Sequence, residues 1–380
     1  MMKKTPAKKQ RVLVALSGGI DSAVSTYLLI KQGYEVEAAF MKNWSSTAGL
    51  KYQDCPWLAD RQEALRVAAF LKIPLHTLDF EKQYRKNVMS YFFTEYKKGR
   101  TPNPDVMCNK KIKFKLLYNW AMKNGFDFLA TGHYAKVVKS KKLKVIKSKT
   151  KALENLRLDN FQLARSADEF KDQTYFIYNI KAEQLPHLLF PIGGMKKSAV
   201  RILARKIKLP NAERKESMGL CFVGKVRLKQ FLGQKIKPKT GLIVSSANEI
   251  LGKHEGLFNY TIGQRQGIKI GGGGPFYVFD KDLKSNKLYV TNNPEDSRLL
   301  TKDLQIHSVN WISPSYNLKP KTYNLFGRFR HQGELIPLTI HQLDKNHHRV
   351  RFKYPQKAVA SGQSLVLYKG KECVGGGVIA

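Results

Sequence analysis

Three stretches of this 380-residue chain carry side chains whose types and spacing can do chemistry. The first is Ser17-Gly18-Gly19-Ile20-Asp21-Ser22, set between the apolar run Arg11-Val12-Leu13-Val14-Ala15-Leu16 and Ala23-Val24-Ser25-Thr26-Tyr27-Leu28-Leu29. A β-rich run, a glycine turn and apolar residues at helical spacing predict a strand, a loop and a helix, with loop N–H groups and helix N-terminus converging on one point. Adjacent glycines let the backbone approach an anion without Cβ interference, and Ser17 and Ser22 add hydroxyl donors, so the point suits a phosphate. It is not the nucleotide loop that ends in Gly-Lys-Ser/Thr, because no Lys follows the glycines and the spacing is shorter. A bare Ser-Gly-Gly is also a common βα turn; Asp21-Ser22 and the flanking elements favour the nucleotide.

The second stretch is Gly99-Arg100-Thr101-Pro102-Asn103-Pro104-Asp105-Val106-Met107-Cys108-Asn109-Lys110. Two prolines stiffen a loop, and a lone cysteine follows among basic residues near a predicted helix start, where cations and the helix N-terminus favour thiolate. The third, Glu216-Ser217-Met218-Gly219-Leu220-Cys221-Phe222-Val223-Gly224, holds another lone cysteine between glycines. Taken alone, each thiol reads as a small structural core residue rather than a catalytic one.

Strand and helix signals alternate through the first half: a strand at 11–16, a helix after Asp21, an apolar run at 35–41, a helix at 60–71, a strand at 75–80, a helix near 111–124 and a strand at 126–130 leading into Thr131-Gly132-His133-Tyr134. This predicts an α/β, doubly wound parallel sheet, whose ligands sit at the carboxyl ends of the strands, where both Ser17 and Gly132-His133 fall. Residues 136–151 carry eight Lys and no acid, the pattern of a solvated basic hairpin or loop, and a helix is expected at 196–209. Beyond about Thr240, short β-like runs punctuated by turn residues predict a small C-terminal β-barrel or sandwich. The expected division is residues 1–212, a small central domain at 213–282, and a C-terminal β-barrel at 283–380.

The net charge of +38, from 67 basic and 29 acidic residues, creates a field that attracts a polyanion, of which nucleic acid is the natural one. Lys greatly outnumbers Arg, which a genome rich in A and T also produces. The first ten residues are basic without a signal-like apolar core, and no run has the length of a membrane span, so a cytoplasmic protein is expected. Cys55, Cys108, Cys221 and Cys373 stand singly, with no zinc spacing and no disulfide framework of the secreted kind.

The 17–22 loop resembles the SGGxDS pyrophosphate loop of the PP-loop ATPases, which cleave ATP between the α and β phosphates. Taken in order, that loop, Phe40-Met41-Lys42-Asn43-Trp44, residues 99–114 and 130–134, Lys171-Asp172-Gln173-Thr174-Tyr175-Phe176, residues 220–224, Ile262-Gly263-Gln264-Arg265 and Gly375-Gly376-Gly377 resemble the bacterial tRNA-specific 2-thiouridylase family, MnmA, from about Arg11 to the end. The resemblance implies that ATP adenylates O2 of uridine 34 and that sulfur replaces the AMP. It implies a persulfide on Cys221 and a second catalytic thiol at Cys108, sulfur leaving either as sulfide, through a Cys108–Cys221 disulfide, or by direct persulfide attack.

Matching positions assign Ala15, Leu16, Ser17, Gly18, Gly19, Ile20, Asp21, Ser22, Met41 and Gly132 to ATP, with Asp21 as a magnesium ligand. They assign Asn103, Pro104 and Asp105 to the target base, Asp105 as proton acceptor, and His133, Lys171, Asp172, Gln173, Arg328, Phe329 and Gln363 to tRNA. On the residues alone, His133 can equally cap a strand end and Arg328-Phe329 form a solvated β edge. The implied partners are tRNAs for Lys, Glu and Gln and a cysteine desulfurase or sulfur-relay protein, the enzyme itself being a monomer. Where the family often has acidic residues after Asn-Trp, this chain has Ser45-Ser46-Thr47-Ala48-Gly49, and Cys55 and Cys373 are assigned no catalytic part. The rival readings are another PP-loop adenylating enzyme, which would tolerate loss of both thiols, and a noncatalytic RNA-binding module, which would release no pyrophosphate.

Overall fold

The structure, a computed structural model, describes residues 9–45, 56–139, 161–215, 228–268, 270–271, 274–313, 316, 322–344 and 346–380. Cys55, Cys221 and the 46–49 stretch lie outside the described residues. In chain order, the first half forms strand β1 (Arg11–Ala15), helix α1 (Ile20–Lys31), β2 (Glu35–Lys42), α2 (Pro56–Leu71), β3 (Leu75–Asp79), β4 (Phe128–Thr131), β5 (Ala135–Lys139), β6 (Phe161–Arg165) and β7 (Leu188–Leu189). Five of these strands make an all-parallel sheet in the order β3-β2-β1-β4-β7. Val12, Leu13 and Val14 are completely buried, as expected of a central strand covered on both faces. Ala23 and Val24 of α1, Ala64, Val67 and Ala68 of α2, and Val200 and Ala204 of the helix Lys197–Lys206 pack together on one face. The other face, with Leu13, Ala15, Ala39 and Met41, is covered by helical segments between Glu81 and Lys123. The expected doubly wound sheet is therefore present.

One of the covering elements is a continuous helical run through Pro104–Cys108, Asn109–Leu117 and Tyr118–Lys123, whose middle stretch is wound more widely than an α-helix. Such π-winding is rare and recurs at functional sites.

The central unit is a four-stranded sheet of β8 (Gly241–Val244), β9 (Ile250–His254), β10 (Tyr277–Asp282) and β11 (Lys287–Thr291), ordered β10-β11-β8-β9 around Ile243, Leu257, Val278, Leu288 and Val290. The expected boundary at 282/283 is corrected: β10 and β11 are a hairpin, with Tyr277 opposite Thr291, and a cut there would split it. On either side of the expected 212/213 division, Asn211 and Arg214 both bond the carbonyl of Gly18.

The last unit contains β12 (Leu300–Trp311), β13 (Thr322–Arg328), β14 (Ile336–Gln342), β15 (His347–Lys357), β16 (Ser364–Lys369) and β17 (Glu372–Ile379). Pairing in the order β12-β15-β14-β13-β16-β17, closed by β12 against β17, makes it a six-stranded antiparallel barrel. Buried and exposed residues alternate along β15, as one wet face requires. The β5–β6 hairpin extends the barrel sheet through Ala164 opposite Glu372, tying the first unit to the last. Its first strand takes up residues 136–139 of the Lys-rich 136–151 stretch; residues 140–160 lie outside the described residues. Among the described residues, no helix is long and apolar enough to cross a membrane.

Candidate active site

Residues 16–19 join the C-terminal end of β1 to α1, whose first N–H groups have no acceptor within the helix. The serines tie the turn together: Ser22 Oγ accepts from Ser17 N at 3.2 Å and donates to the Gly19 carbonyl at 2.9 Å, and the two hydroxyl oxygens stand 3.2 Å apart. Gly18 has φ +79°, and a Cβ there would collide with the Asp60 carbonyl and stand 2.9 Å from the Arg214 guanidinium. A side chain at Gly18 is therefore excluded by the protein itself, before any ligand is considered. At Gly19 the nearest atom to a Cβ would be Ser17 Oγ at 3.4 Å, so its open side faces the cradle. Gly132 lets β4 close on α1, since a Cβ would come within 2.7 Å of Ser22 N.

These contacts separate the two glycines experimentally. Gly18→Val is expected to lower stability by about 1–3 kcal/mol through left-handed backbone strain alone, visible as a lower Tm. Gly19→Ala is expected to leave Tm within about a degree and to weaken ATP binding at least about tenfold. Wild-type ATP affinity in both variants contradicts the assignment of this loop to phosphate.

Asp21 accepts from Lys197 Nζ at 2.7 and 2.8 Å and from Tyr134 Oη at 2.9 Å. Both its oxygens are engaged, and among the described residues no group of three His, Cys, Asp or Glu can hold a metal ion. Asp21 is thus an anchor for Lys197 and Tyr134 in this structure, and it would ligate a magnesium ion bound with ATP phosphates only by giving up one of these contacts. Gln173 brackets Tyr134 from the other side, its Oε1 accepting from Tyr134 N and its own N–H donating to Tyr134 O. The 171–173 segment is thereby coupled to the 17–22 loop.

Asn103 is the N-cap of the Cys108 helix: its Oδ1 accepts from Asp105 N at 3.1 Å and Val106 N at 3.2 Å, with Pro104 at the first helical position and Asp105 in the first turn. The Asn-Pro-Asp order is thus what a tight helix entry requires. Cys108 is completely buried, in the same packed cluster as Ala15, Met41 and Trp44, so nucleotide-loop and thiol elements share one core. Lys110 follows it, its ammonium pushed to lower pKa by burial and by Lys111. Arg214, just before the Cys221 stretch, bonds Gly18 O at 3.0 Å, and the helix Leu228–Gly233 just after it inserts Phe231 and Leu232 into the core that holds Cys108.

His133 is buried against Phe114 and Phe190, bonded through Nδ1 to Thr131 Oγ1 at 2.7 Å, and held neutral because burial and Lys113 push its pKa well below 6.5. Its side chain serves the strand end. Lys171 is partly exposed. Asp172 is completely buried and receives Arg328 at 3.1 Å, Thr174 Oγ1 at 2.9 Å and Ser166 N at 3.2 Å. Arg328 is itself buried, and Phe329 belongs to the barrel core. The expectation of an RNA-facing or solvated Arg328-Phe329 is corrected for these side chains, whose charge and ring are turned inward; Arg330, beside them, is exposed. Gln363 Nε2 bonds the Thr101 carbonyl at 2.7 Å.

Residues 10–225 match the family described as tRNA methyl transferase HUP domain, 229–292 the tRNA methyl transferase PRC-barrel domain, and 301–379 the aminomethyltransferase beta-barrel domain. The tRNA-specific 2-thiouridylase MnmA of Pediococcus pentosaceus is 41% identical over 99% of this chain and 96% of its own length. Those of Alkaliphilus oremlandii and Legionella pneumophila (strain Lens) are 41% and 40% identical, over 100% and 98% of this chain and 99% and 98% of theirs. The chain belongs to the MnmA family.

Within this MnmA chain, several site residues escaped sequence reasoning. Lys197, the partner of Asp21, is one lysine in a Lys-rich chain and had no local signal; Asp60, Asn211 and Arg214 brace Gly18 from distant positions. Asn43, at the end of β2, is buried with both amide atoms without a partner among the described residues. Its place beside Met41 and Trp44 at the carboxyl edge of the sheet was the signal that could have found it.

Proposed function

We propose that the chain is an ATP-dependent tRNA-uridine 2-sulfurtransferase acting on uridine 34. The observation that carries the reading is that the described ends of the Cys221 stretch are anchored at the 17–22 loop, through Arg214, and in the core of Cys108, through Phe231. These anchors support the reading that adenylation and sulfur delivery share one neighbourhood.

In the reaction, O2 of the uridine attacks the α-phosphorus of ATP and pyrophosphate leaves along the 17–22 loop, where helix N–H groups favour the departing anion. Asp105 accepts the N3 proton of the base. Cys221 carries the sulfur as a persulfide. Cys108 thiolate attacks the inner sulfur of that persulfide, forming a Cys108–Cys221 disulfide and releasing sulfide, which displaces AMP at C2; an external thiol reductant then returns both cysteines. In the alternative order the terminal sulfur bonds to C2 first and Cys108 resolves the adduct. Complete burial of Cys108 requires its packing to open when the RNA and the sulfur arrive.

Lys171 and Gln173, with the backbone of 328–329, are the parts of the assigned segments that face tRNA, joined by the exposed Arg330 beside them, the acceptors being those for Lys, Glu and Gln. A cysteine desulfurase, directly or through a relay protein, supplies the sulfur. With a +38 chain, tRNA affinity is expected to fall by about 10³–10⁵ between roughly 50 and 200 mM salt if six to ten phosphates are contacted. A flat dependence in a filter-binding titration assigns the charge to background. The function is tested by mass spectrometry of tRNA nucleosides from cells with and without this chain: 2-thiouridine derivatives at position 34 disappear with it, and their persistence contradicts the proposal.

A further inference from the structure

The 99–103 loop leads from a helix ending at Lys97 to the Asn103 cap, and its polar groups are bonded by the two other units of the chain. Thr101 is the centre of this arrangement. Its N–H donates to the Ser361 carbonyl at 2.9 Å, its carbonyl accepts from Gln363 Nε2 at 2.7 Å, and its Oγ1 lies 3.0 Å from Thr261 Oγ1. The first two partners belong to the barrel and the third to the central unit. Two residues earlier, the Lys281 ammonium of β10 donates both to the Gly99 carbonyl and to the Tyr260 carbonyl, the latter at 2.8 Å, while Leu283 packs over Gly99. Burial lowers the Lys281 pKa to about 8 against the raising effect of Asp280, which leaves it charged at pH 7, a cation held between two carbonyls.

We propose that Lys281 and Thr261 are positioning residues for catalysis: they fix the 99–103 loop from the central unit while Gln363 fixes it from the barrel, so that Asn103-Pro104-Asp105 and the Cys108 helix meet the target base in one register. The proposal rests on the assignment of Asn103-Pro104-Asp105 to the target base. Gly99 and Arg100 are tied back to the preceding helix, through N–H bonds to the Tyr96 and Glu95 carbonyls and an Arg100–Glu95 ion pair, but Pro102 and Pro104 supply no N–H, so 101–103 depends on bonds from the other two units for its place. Individual hydrogen bonds are modest in energy, but displacement of a reacting group by about 1 Å lowers rate by about 10². The clamp therefore acts on rate more than on folding, and seating of RNA against the barrel or the central unit reaches the reacting base through it.

The test compares full-length wild type with Lys281→Met, Lys281→Arg and Thr261→Val, the last leaving no buried charge unpaired. Measured are pyrophosphate release at saturating ATP and tRNA, Kd for ATP and for tRNA, Tm, and amide hydrogen exchange of the peptide covering 98–107. Lys281→Met and Thr261→Val are expected to lower kcat about 10- to 100-fold with both Kd values within twofold, and to speed exchange at 99–103. Lys281→Arg restores most of the rate. Unchanged kcat, or a rate loss that follows Tm and is not rescued by Arg, overturns the proposal. Absence of tRNA-dependent release from wild type contradicts the functional reading itself; the clamp is then judged by exchange, and unchanged exchange in both variants overturns it.

Discussion

Arg328→Ala is expected to destabilise the protein by about 3–5 kcal/mol, the range for removing one partner of a buried ion pair. Asp172 is completely buried and Arg328 nearly so, and the pair joins the first unit to β13 of the barrel. Removing the guanidinium leaves a carboxylate supported by Thr174, by Ser166 N and by Arg165 at 3.7 Å, whose Nε has no hydrogen-bond partner among the described residues and can move toward it. That reserve places the loss near the lower end of the range. The double variant Arg328→Met with Asp172→Asn removes both charges and recovers a large part of the loss, because a matched neutral pair carries no uncompensated charge. Urea unfolding of the three proteins checks this. A loss below about 0.5 kcal/mol, typical of surface substitutions, accompanied by weaker tRNA binding, contradicts the inward assignment and returns Arg328 to an RNA-facing surface.

The second large effect is on chemistry. Cys108→Ser is expected to keep tRNA-dependent pyrophosphate release, since adenylation needs only ATP with magnesium and the positioned uridine, and to lower 2-thiouridine yield by several orders of magnitude, as loss of a reacting nucleophile does. Cys373→Ser is the matched control. Cys373 is also completely buried, but burial together with the neighbouring Asp172 pushes its thiol well above the ordinary range, away from the thiolate that sulfur chemistry requires. It is expected to thiolate normally with a small packing loss. Liquid chromatography of digested tRNA, beside a pyrophosphate assay, reads both effects.

What the sequence made legible were elements whose cause is local. The run Val12-Leu13-Val14 followed by two glycines and an amphipathic stretch is strand, turn and helix by periodicity alone, and it appears as β1, loop and α1. Asn103-Pro104 announces a helix entry through capping chemistry, although the helix starts several residues before the expected 111. The misses are non-local. The turn at 283–286 looks like a boundary but is the bend of a hairpin whose partner strand follows immediately. Arg328 beside Phe329 reads as a stacking and phosphate pair until its partner, 156 residues away, is known. Lys197 reaches Asp21 across 176 residues, and no spacing rule could single it out. The six-stranded barrel was foreseeable as short alternating strands, whereas its extension by the β5–β6 hairpin depended on a pairing across more than 200 residues.

The central claim is that Cys221 carries the sulfur that Cys108 helps to deliver. It is tested most directly by loading purified protein with a cysteine desulfurase, mapping persulfides by mass spectrometry, and measuring 2-thiouridine formed on tRNA with ATP. The account predicts persulfide on Cys221 in wild type and in Cys108→Ser, none on Cys108, and no thiouridine from Cys221→Ser although pyrophosphate is still released. Persulfide on Cys108, or full thiolation by Cys221→Ser, contradicts it.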